Sequence, residues 1–215
     1  MTNQSKIMTT ALELFSGQGI RHVTVDELAR ASGMSKRTIY SCFNDKTEIV
    51  STLYKTLVQQ MHRKLLSIRD EADNSVSELV RMNKVLLSSH RFFTSLVIDD
   101  LRRFYRETFD EVYALRMQFL PELFSANIEY GIKTGLYNDS FNPILMAELA
   151  IHELTYLWQQ PGGLVHPFSR KEINQQFLRH FFSGLVTEKG RIILDECLGN
   201  RPSYSYNNLV KTETK

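Results

Sequence analysis

The sequence predicts an all-α fold, and three observations predict it. Glycine and proline are scarce, 10 and 5 among 215 residues, and neither occurs from Met34 to Leu120. A β-rich chain would need turn residues about every 8–12 positions. Apolar residues recur at helical spacing, as in Ile7, Met8, Ala11, Leu12, Leu14 and Phe15. A hydroxyl or carboxylate residue followed three positions later by Glu, the pattern that caps a helix start, recurs at Thr24/Glu27, Asp45/Glu48, Ser75/Glu78 and Ser169/Glu172.

Each element follows from these signals. The first helix stops before Gly17 and Gly19. Thr24 and Glu27 open a short second helix that carries Val25, Leu28 and Ala29 and ends at Gly33, the residue best suited to a left-handed C-terminal position. Ser35 caps a third helix with Ile39, Tyr40 and Phe43 on its apolar side. Asp45 and Glu48 start a long fourth helix through Ile49, Leu53, Leu57, Met61 and Leu65. After a polar break at 70–74, Ser75 and Glu78 cap a further helix. Residues from about Phe92 to Gly131 read as two helices, kinked or broken near Pro121. Asn142-Pro143 opens a helix to about Gln160, because proline suits the first helical position. A loop through Pro161, Gly162, Gly163 and Pro167 follows, then a helix from Ser169 to Val186 and a short last one over 191–197. The residues divide into an N-terminal unit over 1–50, a larger helical body over 51–198, and a polar tail over 199–215 that is expected to be mobile.

Composition bounds the function. Two distant cysteines, Cys42 and Cys197, exclude a disulfide framework or a cysteine metal knuckle. Met1 to Phe15 is too polar for a signal peptide, and no run approaches about 18 apolar residues, so a soluble, cytoplasmic protein is expected. The net charge is only +2, so any nucleic-acid site has to be local.

Such a site is present between Thr24 and Phe43. Two short helices joined by a tight glycine turn form a helix-turn-helix. Small Ala29 lets the helices approach, Gly33 makes the turn, and Ile39 with Phe43 plugs the second helix onto its support. Lys36, Arg37, Thr38 and Ser41 are left facing outward, as donors suited to base edges or phosphates. From Arg30 to Asn44 three residues are basic and none is acidic, although residues 1–50 hold six basic and five acidic side chains. The carboxylates sit at helix starts, where capping uses them.

The stretch HVTVDELARASGMSKRTIYSCFNDKTEIV, from His22 to Val50, resembles the DNA-binding domain of the TetR family of bacterial transcriptional regulators. Thr24, Glu27-Leu28-Ala29, Gly33 with Ser35, the run Thr38-Ile39-Tyr40-x-x-Phe43, and Lys46 carry the likeness. It covers about the first quarter of the chain; beyond it only the helical layout and the ending from Gly184-Leu185 to Gly190-Arg191 are similar. The resemblance implies that Tyr40, Lys46 and Thr24 meet the DNA backbone, with Ser35 at a helix start and Lys36, Arg37 and Thr38 at the groove floor. Two positions depart from the family pattern. Arg37 stands where a small residue is common, so the operator sequence does not transfer. Cys42 stands where histidine is common, either as a packing residue or as a redox group.

The resemblance also implies a ligand-binding and dimerisation body. The helix from Pro143 is apolar nearly all round, and the one from Arg170 carries Ile173, Phe177, Phe181 and Leu185 on one stripe. The last two long helices would form a two-fold four-helix interface, with Ile151, Trp158, Ile173, Phe177, Phe181 and Leu185 at the contact, or else a thick intramolecular core. Aromatic residues are dense between Arg91 and Tyr137. A pocket lined by Phe92, Phe104, Tyr105, Phe109, Tyr113 and Trp158 would suit a small hydrophobic or aromatic effector, and Asp99, Asp100 or Glu107 would favour a cation.

Other chemistry finds little support. The six histidines make no pair at i, i+4, and His152 and Glu153 are adjacent, which points them in different directions on a helix. No nucleophile elbow, phosphate loop or dinucleotide fingerprint is present. No cofactor or metal and no membrane partner is expected. The expected protein is a ligand-responsive regulator, a repressor rather than an activator, that binds a palindromic operator as a homodimer. The alternatives are an activator of the same fold, a helical metal-dependent enzyme, or an adaptor without DNA contact.

Overall fold

The computed structural model describes residues 2–159 and 170–199, and among these every element is a helix, with one isolated antiparallel bridge between Tyr137 and Val186. Three helices form the N-terminal unit: α1 (Asn3–Gln18), α2 (Val25–Ser32) and α3 (Lys36–Cys42). The body follows as α4 (Lys46–Glu71), α5 (Ser75–Ser89), a 3-10 turn (His90–Phe92), α6 (Ser95–Phe104), α7 (Arg106–Lys133), α8 (Pro143–Gln159), α9 (Arg170–Leu185) and α10 (Glu188–Leu198). One hydrophobic core runs through both parts, from Ile7, Phe15 and Ile39 to Phe182 and Leu194.

Helix α4 joins the two. Its 26 residues span about 39 Å. Ile49, Val50, Leu53, Tyr54, Val58, Met61, Leu65 and Ile68 recur at three and four residues and are all buried. Its first turns pack on α1, and the rest lies against α5 and α7.

Several boundaries differ from those the sequence predicts. Helix α1 runs through Gly17 to Gln18. The break in the aromatic region falls at Tyr105, between α6 and α7, and α7 continues through Pro121. Buried Phe119, Leu120, Leu123 and Phe124 hold both sides of that proline in one core, which offsets the lost backbone bond. The cap of α5 is Asn74, whose side chain accepts from the Ser77 amide at 2.9 Å. Ser75 is buried inside the helix instead. Its carbonyl accepts from Asn127 Nδ2 at 2.9 Å and from the Tyr137 hydroxyl at 3.0 Å. Glu78 does not reach back to the cap; it accepts from Asn127 Nδ2 at 2.7 Å, and burial raises its pKa above the usual carboxylate value. The last helix starts at a Thr187 cap, a turn earlier than expected.

The α7–α8 and α9–α10 connections clamp each other. The Asn138 amide donates to Leu185 O at 2.8 Å and the Thr187 amide to Leu136 O at 2.9 Å. Gly131 and Gly190 allow this approach: a Cβ on Gly131 would stand 2.1 Å from the Tyr137 ring, and one on Gly190 would stand 2.2 Å from Leu136 O.

The residues expected at a dimer contact are distributed otherwise. Ile151, Phe177 and Leu185 are buried in the chain's own core, and Ile173 and Phe181 are half-buried. Phe181 stacks on Phe177 and meets Phe182 edge-on, at ring distances of 5.6 and 5.0 Å. The stripe on α9 therefore serves intramolecular packing first. The outward apolar face belongs to α8, where Ile144, Leu145 and Leu149 are 63%, 58% and 45% exposed. The Trp158 side chain, the loop over 160–169 and the tail over 200–215 lie outside the described residues.

Candidate nucleic-acid interface

The exposed end of the N-terminal unit is built from local caps. The Thr24 hydroxyl accepts from the Glu27 amide at 3.2 Å, while Glu27 Oε2 accepts from the Thr24 amide at 2.7 Å, a closed capping box. These bonds to Thr24 hold the Glu27 carboxyl below the usual carboxylate range. Gly33 adopts φ 64° and ψ 34°, the left-handed conformation that a Cβ disfavours, and the Met34 amide donates back to Ala29 O at 2.9 Å. Ser35 then caps α3 by accepting from the Thr38 amide at 3.0 Å. Ile39, Phe43 and Leu28 are buried, and Ala29 lets the two helices close on each other.

This anchoring sets the outward face. Arg37 is exposed and has no ion pair or hydrogen bond among the described residues. Tyr40 is 51% exposed. Lys36 pairs with Asp26 at the start of α2, so its charge is partly neutralised. The Ser41 hydroxyl donates to Thr38 O at 2.7 Å, and the Ser35 and Thr38 hydroxyls lie 2.9 Å apart. Cys42 is half-buried against the core, a free thiol.

Lys46 differs from the expected phosphate contact. Its ammonium turns inward and donates to Ile20 O at 2.6 Å and to Arg21 O at 3.4 Å. Burial lowers its pKa, a shift opposed by the Asp100 and Glu27 carboxylates. A lysine opening a helix gives no hint from sequence of which way its stem will fold. Sequence reasoning also missed the group on the other side of this loop: Asp100 Oδ2 accepts from the Arg21 amide at 2.9 Å.

A second candidate site is a small cleft of about 30 Å³, partly open to solvent, between α6, α7 and α8. Phe93, Ile98, Leu101, Phe109, Val112, Tyr113, Arg116, Met117 and Thr155 line it. Of the residues expected at a pocket, Phe109 and Tyr113 are among these. Phe92 packs under the Arg91 guanidinium, Phe104 lies outside beneath Arg21 at 4.8 Å, and Tyr105 sits at the α6–α7 junction. None of these three lines the cleft. Asp100 faces the N-terminal unit and the cavity's charged residue is Arg116, so the expectation of a cation-favouring carboxylate there is not met. No described helix is long and apolar enough to cross a membrane.

An anchored second helix that presents an unpaired arginine and a tyrosine at the free end of a long helical body defines a helix-turn-helix DNA-binding regulator. Residues 7–53 match the family described as bacterial regulatory proteins, tetR family. The chain is 20% identical over 196 residues to the transcriptional repressor KstR2 of Mycobacterium tuberculosis, covering 87% of this chain and 94% of that protein. It is 30% identical over 96 residues to the regulator TtgR of Pseudomonas putida, covering 45% of this chain and 43% of that one. A TetR-family regulator from Agrobacterium tumefaciens has a similar fold, with a TM-score of 0.71 at 12% identity over 86% of this chain and 98% of that one. Residues 7–53 thus carry a tetR-family DNA-binding domain, and the chain is similar over most of its length to transcriptional regulators of that family.

Proposed function

We propose that the protein represses transcription as a homodimer bound to a palindromic operator, and that a small ligand in the cavity of the body releases it. The observation that carries the DNA-reading half is the free guanidinium of Arg37 on a helix anchored by Ile39 and Phe43. In this reading Arg37 and Lys36 enter the major groove, Thr38 lines its floor, and Tyr40 with the helix starts at Thr24 and Ser35 grips phosphates. Ser41 stands beside them. Lys46 acts from behind by holding the loop over 20–21. The exposed apolar face of α8 supports dimerisation, because Ile144, Leu145 and Leu149 form one patch on a helix whose opposite side is buried.

The two halves are mechanically joined. Phe93 lines the cavity and its ring lies 5.5 Å from that of Tyr54, in α4. Helix α6 lines the cavity through Ile98 and Leu101 and holds the N-terminal unit through Asp100. A ligand that favours a different setting of α6 changes the separation of the two heads, and it releases DNA only by its preference for that state.

Selection of bound fragments from genomic DNA with the purified protein tests this. A two-fold symmetric consensus, with half-sites about 34–36 Å or a multiple apart, is the expected result. Fragments without symmetry would overturn the dimeric reading, and no enrichment would overturn operator binding. A reporter driven by a selected promoter should fall when the protein is expressed; a rise would make it an activator.

A further inference from the structure

Helix α7 presents one stripe to the cavity: Phe109, Val112, Tyr113, Arg116 and Met117, at spacings of three and four residues. Four of these positions hold residues common in a core. The fifth holds a guanidinium, whose Nε is buried with no hydrogen-bond partner. Its guanidinium carbon lies 5.8 Å from the centre of the Phe93 ring. Burial of a cation without a partner is costly, and an arginine does not escape the cost by losing its proton.

No carboxylate of the described chain answers it. None lines the cavity. The acidic residues one and two turns back on α7 are engaged elsewhere, Glu111 with Lys55 at 2.6 Å and Asp110 with Arg106 at 2.9 Å. The segment over 160–169, which connects α8 to α9, contains no Asp or Glu. Arg179 provides the contrast: its Nε is also buried and unpartnered, but its Nη1 meets Asp195 at 2.9 Å. Both side chains are half-buried; one arginine has its acid within the fold, and the other lines a largely apolar cleft without one among the described residues.

We propose that the cavity binds a small organic carboxylate, its apolar body lying among Phe93, Phe109 and Met117 and its carboxylate paired with the Arg116 guanidinium. The ligand class rests on the regulatory reading above only for its effect on DNA. The planar fork of arginine matches a carboxylate through two parallel hydrogen bonds, and pairing removes the uncompensated charge. The depressed pKa of Arg116, caused by desolvation, agrees with a site that lacks its anion. The Tyr113 and Thr155 hydroxyls at the cavity wall are available to the remaining oxygen lone pairs.

The test uses the full chain and matched pairs of probes short enough for the cleft, acetate against ethanol and propionate against 1-propanol, in titration calorimetry. Each acid should bind about tenfold or more tightly than its alcohol, since a site with an unpaired donor rejects a ligand that leaves it unpaired. Arg116→Met should bring the two members of a pair to within about twofold, and Arg116→Lys, which keeps the charge but loses the fork, should be intermediate. Circular dichroism checks that each variant folds; if Arg116→Met does not, the lysine variant carries the comparison. The proposal is overturned if acid and alcohol bind equally, if the preference survives in the variants, or if no acid binds saturably. Operator affinity with and without propionate separates the two readings. Acid-selective binding that leaves operator affinity unchanged would keep the ligand class and overturn ligand-controlled release. Release by 1-propanol at an affinity equal to that of propionate would do the reverse.

Discussion

The backbone amide of Arg21 donates to the Asp100 carboxylate at 2.9 Å, and this bond ties the loop in front of the helix-turn-helix to α6 of the body. The same loop is gripped on its other side, where the Lys46 ammonium binds Ile20 O. Gly19 lets the chain pass: its φ is 81°, and a Cβ there would stand 2.8 Å from Asp100 Oδ2. The Arg21 guanidinium, lying over the Phe104 ring, closes the joint from outside. The part that reads DNA and the part that surrounds the cavity are therefore one mechanical unit at this point.

Asp100→Ala leaves the Arg21 amide without a partner at a part-buried site. Unfolding in urea should show a loss of about 1–3 kcal/mol. Asp100→Asn keeps an acceptor oxygen and should lose clearly less. Equal losses in the two variants would mean that the carboxylate charge, through Lys46, matters more than the hydrogen bond.

Lys46→Ala and Arg37→Ala should separate cleanly. The lysine variant removes a charged donor from the part-buried Ile20 carbonyl and should cost about 1 kcal/mol of stability, with the salt dependence of operator binding nearly unchanged. The arginine variant should keep its stability and relax preference at one base position, at a cost of about 1–3 kcal/mol in binding. A fall of about one in the salt slope for Lys46→Ala would return that residue to the phosphate contacts.

Glu78 makes stability depend on pH. Its folded-state pKa is raised by burial, so the folded chain holds this proton more tightly than the unfolded chain. Its contribution is complete below the unfolded value, near 4.5, and is lost as pH rises through the folded one. Glu78→Gln resembles the protonated form and keeps an acceptor for Asn127. Thermal melts should therefore find the variant more stable than the parent at neutral pH, with the difference closing toward pH 4. A variant less stable at every pH would assign the carboxylate a pairing role instead.

Gly131→Ala should destabilise the body by roughly 1–3 kcal/mol through overpacking, because its Cβ meets a Tyr137 ring fixed by hydrogen bonds to Ser75 O and Asn127 Oδ1. Gly184→Ala is the control. A Cβ at Gly184, inside α9, meets nothing within 4 Å, and the substitution should stabilise by up to about 1 kcal/mol through helix propensity.

Leu149→Glu places a charge in the exposed patch of α8 and should give a monomer by light scattering with unchanged helicity. A dimer that persists would move the contact to another face.

The elements of the helix-turn-helix were legible because their causes are local. Thr24 with Glu27, Gly33, Ser35 and Asp45 each act within three or four residues, a distance that the sequence displays directly. The anchors Ile39 and Phe43 followed from the same periodicity. The body was legible only as helices. Ser75 presented the same capping pattern as Thr24, yet Asn127 and Tyr137, some 50 and 60 residues later, took its carbonyl and Asn74 took the cap.

The sequence alone thus determined the helical class, the helix-turn-helix with its caps and outward residues, and the family resemblance, since these depend on short-range hydrogen bonds and on apolar spacing along one helix. Only the tertiary structure decided which faces meet. It turned Lys46 inward, buried Ile151, Phe177 and Leu185 within the chain, carried α7 through Pro121 and aimed Arg116 at a cavity. A periodic apolar stripe states that a face will be covered but not by which helix, and a long charged side chain takes its direction from neighbours that folding brings from far along the chain.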